Sequence, residues 1–114
     1  MIYYFSGTGN SKWVAGRLAE LTDDRTENIA DLLKESPAEV VPKAGEPVGL
    51  VFPIYAWGAP RIVERFCKLL RLSGESFAYA ACTCGDEAGN AMERLQKIFP
   101  WQSACSVAMR NNYV

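Results

Sequence analysis

Short apolar runs alternate with helical patterns along the whole chain, and that alternation constrains the fold more than any other feature. Ile2-Tyr3-Tyr4-Phe5 and Val48-Gly49-Leu50-Val51-Phe52 are continuously apolar, as strands are when both faces of their sheet are covered. Phe77 to Cys82 and Cys105 to Met109 read the same way, and Thr26 to Ile29 reads as a shorter, weaker strand. Between the first two of these, Val14, Leu18 and Leu21 recur at helical spacing beside Ala15 and Ala19, and Thr22-Asp23-Asp24 ends that helix. Ala30 to Leu33 gives a helical turn. Ile62, Val63, Phe66, Leu69 and Leu70 mark a core-facing helix with Pro60 at its first turn and Gly74 as its C-terminal cap. Met92, Leu95, Ile98 and Phe99 mark a fourth helix, stopped by Pro100. The order βαβαβαβαβ predicts an α/β fold, an open, doubly wound five-stranded parallel sheet with right-handed crossovers.

At 114 residues the chain is one domain, 1–114. The polar stretch Lys34 to Pro47, with Pro37, Pro42 and Pro47, is a surface connection inside that domain. Twelve basic residues against thirteen acidic ones argue against a nucleic-acid binder. No apolar run spans a bilayer, and the N-terminus lacks the basic start of a signal peptide, so a cytoplasmic address with no membrane partner is expected. There is no histidine, which removes Ser-His-Asp and Cys-His catalysis and any His-bearing zinc site. Cys67, Cys82, Cys84 and Cys105 have neither CxxC nor ferredoxin spacing and read as reduced thiols. A Cys-x5-Arg phosphatase loop is absent, since the sixth residue after Cys84 is Asn90 and after Cys82 is Ala88. No metal site is expected.

In doubly wound sheets ligands bind outside the C-terminal ends of the strands, and three loops there carry the chemistry. FSGTGNS, Phe5 to Ser11, joins the first strand to the first helix. Gly7 and Gly9 let backbone N–H groups crowd around an anion, Ser6, Thr8, Asn10 and Ser11 add short donors, and the helix starting near Asn10 or Ser11 points its positive end at the same place. The loop is neither a Walker A motif nor a G-x-G-x-x-G fingerprint, both of which fail at Lys12. It reads as a phosphate cradle or as ordinary helix capping. PIYAWGAP, Pro53 to Pro60, follows the third strand and carries Tyr55 and Trp57. They stack on a planar heterocycle, or one of them packs onto the core. TCGDEAGN, Thr83 to Asn90, follows the fourth strand. Its Asp86 and Glu87 either complement the next helix or line the edge of a ring together with backbone amides.

A phosphate cradle after strand one, aromatics after strand three and a Gly-rich loop after strand four form one set, and it resembles the flavodoxins. FSGTGNS, VFPIYAWGAPRIVERF and TCGDEAGNA look most like the flavodoxin-like half of fused flavodoxin–ferredoxin proteins. The likeness covers essentially the whole chain. It implies strand order 2-1-3-4-5 and bound FMN. Ser6, Gly7, Thr8, Gly9, Asn10 and Ser11 would hold the phosphate. Pro53, Ile54, Tyr55, Ala56, Trp57 and Gly58 would cover the isoalloxazine. Thr83, Cys84, Gly85 and Asp86, with Gly89 and Asn90, would close the other side. Flavodoxins end on a helix after strand five, whereas this sequence stops at Asn111-Asn112-Tyr113-Val114. A truncated product, a domain fragment or a member that borrows a partner is therefore expected, with a homodimer or a docked partner over the face that lacks the fifth helix.

The resemblance implies a low-potential one-electron carrier, with a ferredoxin-like protein or a reductase as its redox partner and no catalytic side chain. Two alternatives stand beside it. One is an FMN-dependent NAD(P)H:quinone-type reductase, which needs a second open site over the ring. The other is a flavin-less interaction module that keeps the fold.

Overall fold

The computed structural model describes all residues except 8, 55–58, 74–75, 85–92, 94 and 109–114, with residues 84 and 106–108 described by their backbone. Five strands and three helices carry most of what is described: β1 (Ile2–Tyr4), α1 (Asn10–Thr22), β2 (Thr26–Asn28), α2 (Ile29–Lys34), β3 (Val48–Pro53), α3 (Arg61–Leu69), β4 (Ala78–Cys84) and β5 (Ser103–Ala108). Glu93, Leu95 and Gln96 are also helical and precede β5. The strands form one all-parallel sheet in the order β2-β1-β3-β4-β5. This is the flavodoxin-like α/β arrangement that the sequence implies.

The central strand explains the layering. Every residue of β3 is buried, because each of its faces is covered. Val48, Leu50 and Phe52 join Tyr3, Ala78, Ala80 and Cys82 on one face, against Val63, Phe66 and Cys67 of α3, Ile29 of α2, and Leu95 and Phe99. Tyr3 and Phe66 meet there with ring centroids 4.9 Å apart. Ile2, Tyr4, Val51 and Ala81 point the other way and pack on Val14 and Ala15 of α1. The period-two alternation of a strand thus feeds two cores from one run of residues.

Several boundaries differ from those read in the sequence, each for a local reason. Thr26 to Ile29 is not one strand. The Asn28 side chain accepts the Ala30 N–H at 2.9 Å, caps α2, and turns Ile29 into its first residue. Pro53, the first residue of the PIYAWGAP segment, is the last residue of β3. The Val51 carbonyl faces β1, accepting the Phe5 N–H, and the Ile54 N–H faces β4, donating to Thr83. Residue 53 therefore faces β1 beyond that strand's last pair, where no ladder bond needs the N–H that proline lacks. Leu21 continues the spacing of Val14 and Leu18 but is 67% exposed, because it lies in the last turn of α1. α3 stops at Leu69, so Gly74 is not its cap; Leu70 takes extended backbone and forms a parallel bridge with Val40. That bridge ties the proline-rich connection to the core, where a purely surface path had been expected. Phe77 precedes β4 and is 48% exposed.

Candidate functional site

Because the sheet is wholly parallel, the C-terminal ends of all five strands share one edge. β1 and β3 are neighbours, yet the chain leaves β1 toward β2 on one side and β3 toward β4 on the other. Their C-terminal ends flank the switch point, where loops diverge and leave a crevice. The three sequence-selected loops leave β1, β3 and β4, which are consecutive in the sheet.

The first loop is held open by its own backbone. Gly9 adopts the left-handed conformation, with φ 98°, and is the N-cap of α1. A side chain would be strained there, so the turn requires glycine. The Gly9 N–H donates to Ser6 Oγ at 2.9 Å, which fixes the turn. The Gly9 carbonyl accepts the Trp13 N–H at 3.0 Å and starts the helix. No side chain caps α1, and no acidic residue stands in its first turn. The positive end of a thirteen-residue helix is thus turned into the loop with no acidic residue in its own first turn.

Ser11 and Thr83, both selected as ligand residues, meet each other. Ser11 is 1% exposed and Thr83 is also buried, and their hydroxyls lie 2.9 Å apart. This pair joins the start of α1 to the end of β4, across 72 positions of sequence. One of the two hydroxyls donates and the other accepts, so one O–H of the pair is tied into this contact, and the Ser11 backbone N–H stands beside it at the start of α1. Ile54 N–H donates to the Thr83 carbonyl at 2.8 Å, and Phe5 N–H to the Val51 carbonyl at 3.0 Å. Phe5, Ser11, Ile54 and Thr83 therefore lock the roots of the three loops together. Ser6 and Asn10 are half-buried, and Gly7 and Gly9 are exposed, all in the first loop. Pro53 is buried at the strand end and Ile54 is half-buried. Thr8, Tyr55, Ala56, Trp57, Gly58, Gly85, Asp86, Gly89 and Asn90 lie outside the described residues, as does the side chain of Cys84.

The values of Cys67 and Asp24 shift through contacts away from these loops. The Cys67 thiol is pushed up to about 12 by burial and by the charge of Glu64 beside it. Burial also acts to raise Asp24, but the N-terminal ammonium and the Arg25 N–H bonding it outweigh that and hold its carboxyl below its ordinary value. Asp24 lies with Met1 and Tyr79 at the opposite end of the sheet. Among the described residues no group of His, Cys, Asp and Glu could hold a metal ion, and no helix is long and apolar enough to cross a membrane.

One aromatic at this edge was not singled out from the sequence. Trp13, on α1, is 63% exposed and lines an open groove with Gly9. Its signal was present in the helix periodicity, since Trp13 falls outside the stripe of Ser11, Val14, Ala15 and Leu18 that faces the sheet.

No protein-family model matches the sequence, and no curated protein matches it. Solved structures do. A crystal structure from Bacteroides uniformis, described as a "putative flavoprotein", superposes with a TM-score of 0.72 at 22% identity, over 97% of this chain and 90% of that one. A second protein so described, from Bacteroides eggerthii, gives a TM-score of 0.67 at 20% identity, over 96% of this chain and 88% of that one. At these identities the likeness is one of fold.

Proposed function

We propose that this chain binds a flavin, FMN, without a covalent link at the C-terminal edge of its sheet and serves as an electron carrier. The observation that carries the reading is the uncapped start of α1, turned by a left-handed Gly9 into the switch-point crevice. The donor set fits a phosphate: backbone N–H groups at a helix N-terminus, hydroxyls beside them, and no carboxylate in the first turn. The fold likeness to two proteins described as flavoproteins supports the same choice. In this reading Ser6, Gly7, Thr8, Gly9, Asn10 and the Ser11 N–H hold the phosphate. Pro53 to Gly58 cover the ring, with Tyr55 or Trp57 stacked on it, and Thr83 to Asp86 with Gly89 and Asn90 close the far edge.

A bound flavin supplies the electron-transfer chemistry, and the chain supplies position and surroundings. The Ser11–Thr83 pair and the Ile54–Thr83 bond hold the phosphate loop and the ring loops at fixed separation, which limits what must be ordered on binding. The chain has no histidine, the side chain most often used for proton transfer at neutral pH.

The purified protein's visible spectrum tests the reading, followed by titration of FMN with flavin fluorescence as the signal. Flavin absorbance or saturable quenching is expected. A colourless protein that leaves FMN fluorescence unchanged would remove both the carrier and the reductase, and leave an interaction module on this fold. Rapid bleaching of the bound flavin by NADH would favour the reductase over the carrier.

A further inference from the structure

The outer face of α1 carries a groove of about 370 Å³ lined by Gly9, Lys12, Trp13, Gly16, Arg17 and Glu20. It begins at Gly9, the residue that also turns the phosphate loop, so groove and loop are continuous. Trp13 lies one helical turn beyond Gly9, about 6 Å along the axis, and Arg17 lies a further turn on. The indole is 63% exposed. Tryptophan is usually well buried, so an indole left open beside a groove is available as a stacking surface. Gly16 leaves the floor of the groove free of a side chain, with nothing within 4 Å of where a Cβ would stand.

The charges match a phosphorylated ligand. Lys12 makes no ion pair among the described residues and sits one residue from the indole. Arg17 is engaged by Glu20 at 2.9 Å, and this neutralises the groove's single carboxylate. Sequence distance from Gly9 sets the order: the phosphate loop first, then a lysine, then an aromatic ring, then a guanidinium–carboxylate pair.

Resting on the flavin reading above, we propose that this groove is a second subsite, which takes the adenylate half of flavin adenine dinucleotide. The first phosphate occupies the loop. Lys12 faces the second phosphate, and Trp13 stacks on the adenine. The Arg17–Glu20 pair supplies donors and acceptors for the ribose and the edge of the base. FMN fills the loop alone, and FAD fills the loop and the groove.

Parallel titrations of the full chain with FMN and FAD test this, by fluorescence quenching and calorimetry. The wild-type protein is expected to bind both, FAD about tenfold or more tightly, as one added stacking contact implies. Trp13→Ala abolishes that preference and leaves FMN affinity within about twofold, because an exposed indole contributes little to folding. Lys12→Gln reduces the preference several-fold and weakens its dependence on salt. Circular dichroism identifies either variant if it fails to fold, and the preference then rests on the other. FMN binding with no gain for FAD, or equal loss of both flavins in Trp13→Ala, would overturn the subsite and leave the FMN reading intact. Binding of neither flavin by the wild-type protein would overturn both.

Discussion

Ser11 and Thr83 form a buried hydroxyl pair whose energetics can be worked out before it is measured. Ser11→Ala removes one hydrogen bond and leaves Thr83 Oγ1 buried without a partner, a loss of about 1–3 kcal/mol. Alanine's higher helix propensity returns about 0.5 kcal/mol of that. Thr83→Val keeps the β-branched shape that suits β4 but orphans Ser11 Oγ instead. A serine deeper in a helix would rescue itself on the carbonyl one turn back. Ser11 is the second residue of α1, so the chain one turn before it is not helical and the rescue fails.

Each single variant should therefore cost about 1–2 kcal/mol, while the double variant Ser11→Ala/Thr83→Val leaves neither group orphaned and should cost less than the sum by about 1 kcal/mol or more. Urea unfolding reads this directly. With m near 2 kcal/mol/M, each single substitution lowers the midpoint by roughly 0.5–1 M, and the double falls by little more than one single does. If the two losses instead add to within about 0.5 kcal/mol, the hydroxyls are not coupled, and the tie between the first loop and β4 does not exist.

Other expectations follow from single contacts. The Asp24 carboxyl sits below its ordinary value in the fold, so its bond to the Met1 ammonium stabilises the protein above the ordinary carboxylate value of 3.8 and is lost as pH falls through the lowered one. The stability gap between wild type and Asp24→Asn, followed by urea midpoint against pH, should be constant near neutrality and close on acidification below 3.8. A Cβ at Gly49 would collide with the Tyr79 ring, so Gly49→Ala forces that ring aside, breaks its stack with Phe77, and costs about 1–3 kcal/mol with a changed near-ultraviolet dichroism. In a Tyr79→Ala background, Gly49→Ala should cost little, because the clashing ring is gone. Buried Cys67, pushed up to about 12, and buried Cys82 should resist alkylation in the folded protein, while exposed Cys105 reacts at once, as read by peptide mass mapping.

Much of this fold was legible because its central strands are buried on both faces, which leaves continuous apolar runs such as Val48 to Phe52 that admit few other readings. The order of elements then fixed the parallel sheet through the handedness of the crossovers. Boundaries were less legible where one side chain decides them. Asn28 splits a strand from a helix with a single bond, and Pro53 is tolerated in β3 only because β1 has already ended beside it. Leu21 continues the apolar spacing of Val14 and Leu18, yet it lies in the last turn of α1 and stays exposed, since spacing alone does not say where the sheet beneath a helix stops.

The candidate site divides along the same physical line. Gly9 was recognisable because a sharp turn into a helix needs a residue free to take positive φ, and glycine advertises that in sequence. The partnership of Ser11 with Thr83 was not recognisable. Both residues looked like ligand donors, and only the adjacency of β1, β3 and β4, which reverses chain order at the switch point, brings residues 72 positions apart within 2.9 Å. That contact changes the chemistry assigned to the loop. With one O–H of the Ser11–Thr83 pair committed to the scaffold, the proposed anion site relies chiefly on backbone N–H groups, which carry no titratable charge and cannot be removed by side-chain substitution. Phosphate-dependent binding should then persist in Ser11→Ala, provided the chain still folds, and should fail when Gly9 is replaced by a β-branched residue that cannot hold φ near 98°. Flavin titration of Gly9→Val beside Ser11→Ala separates the two contributions: equal loss in both would mean that the Ser11 hydroxyl, not the turn, is what the phosphate meets.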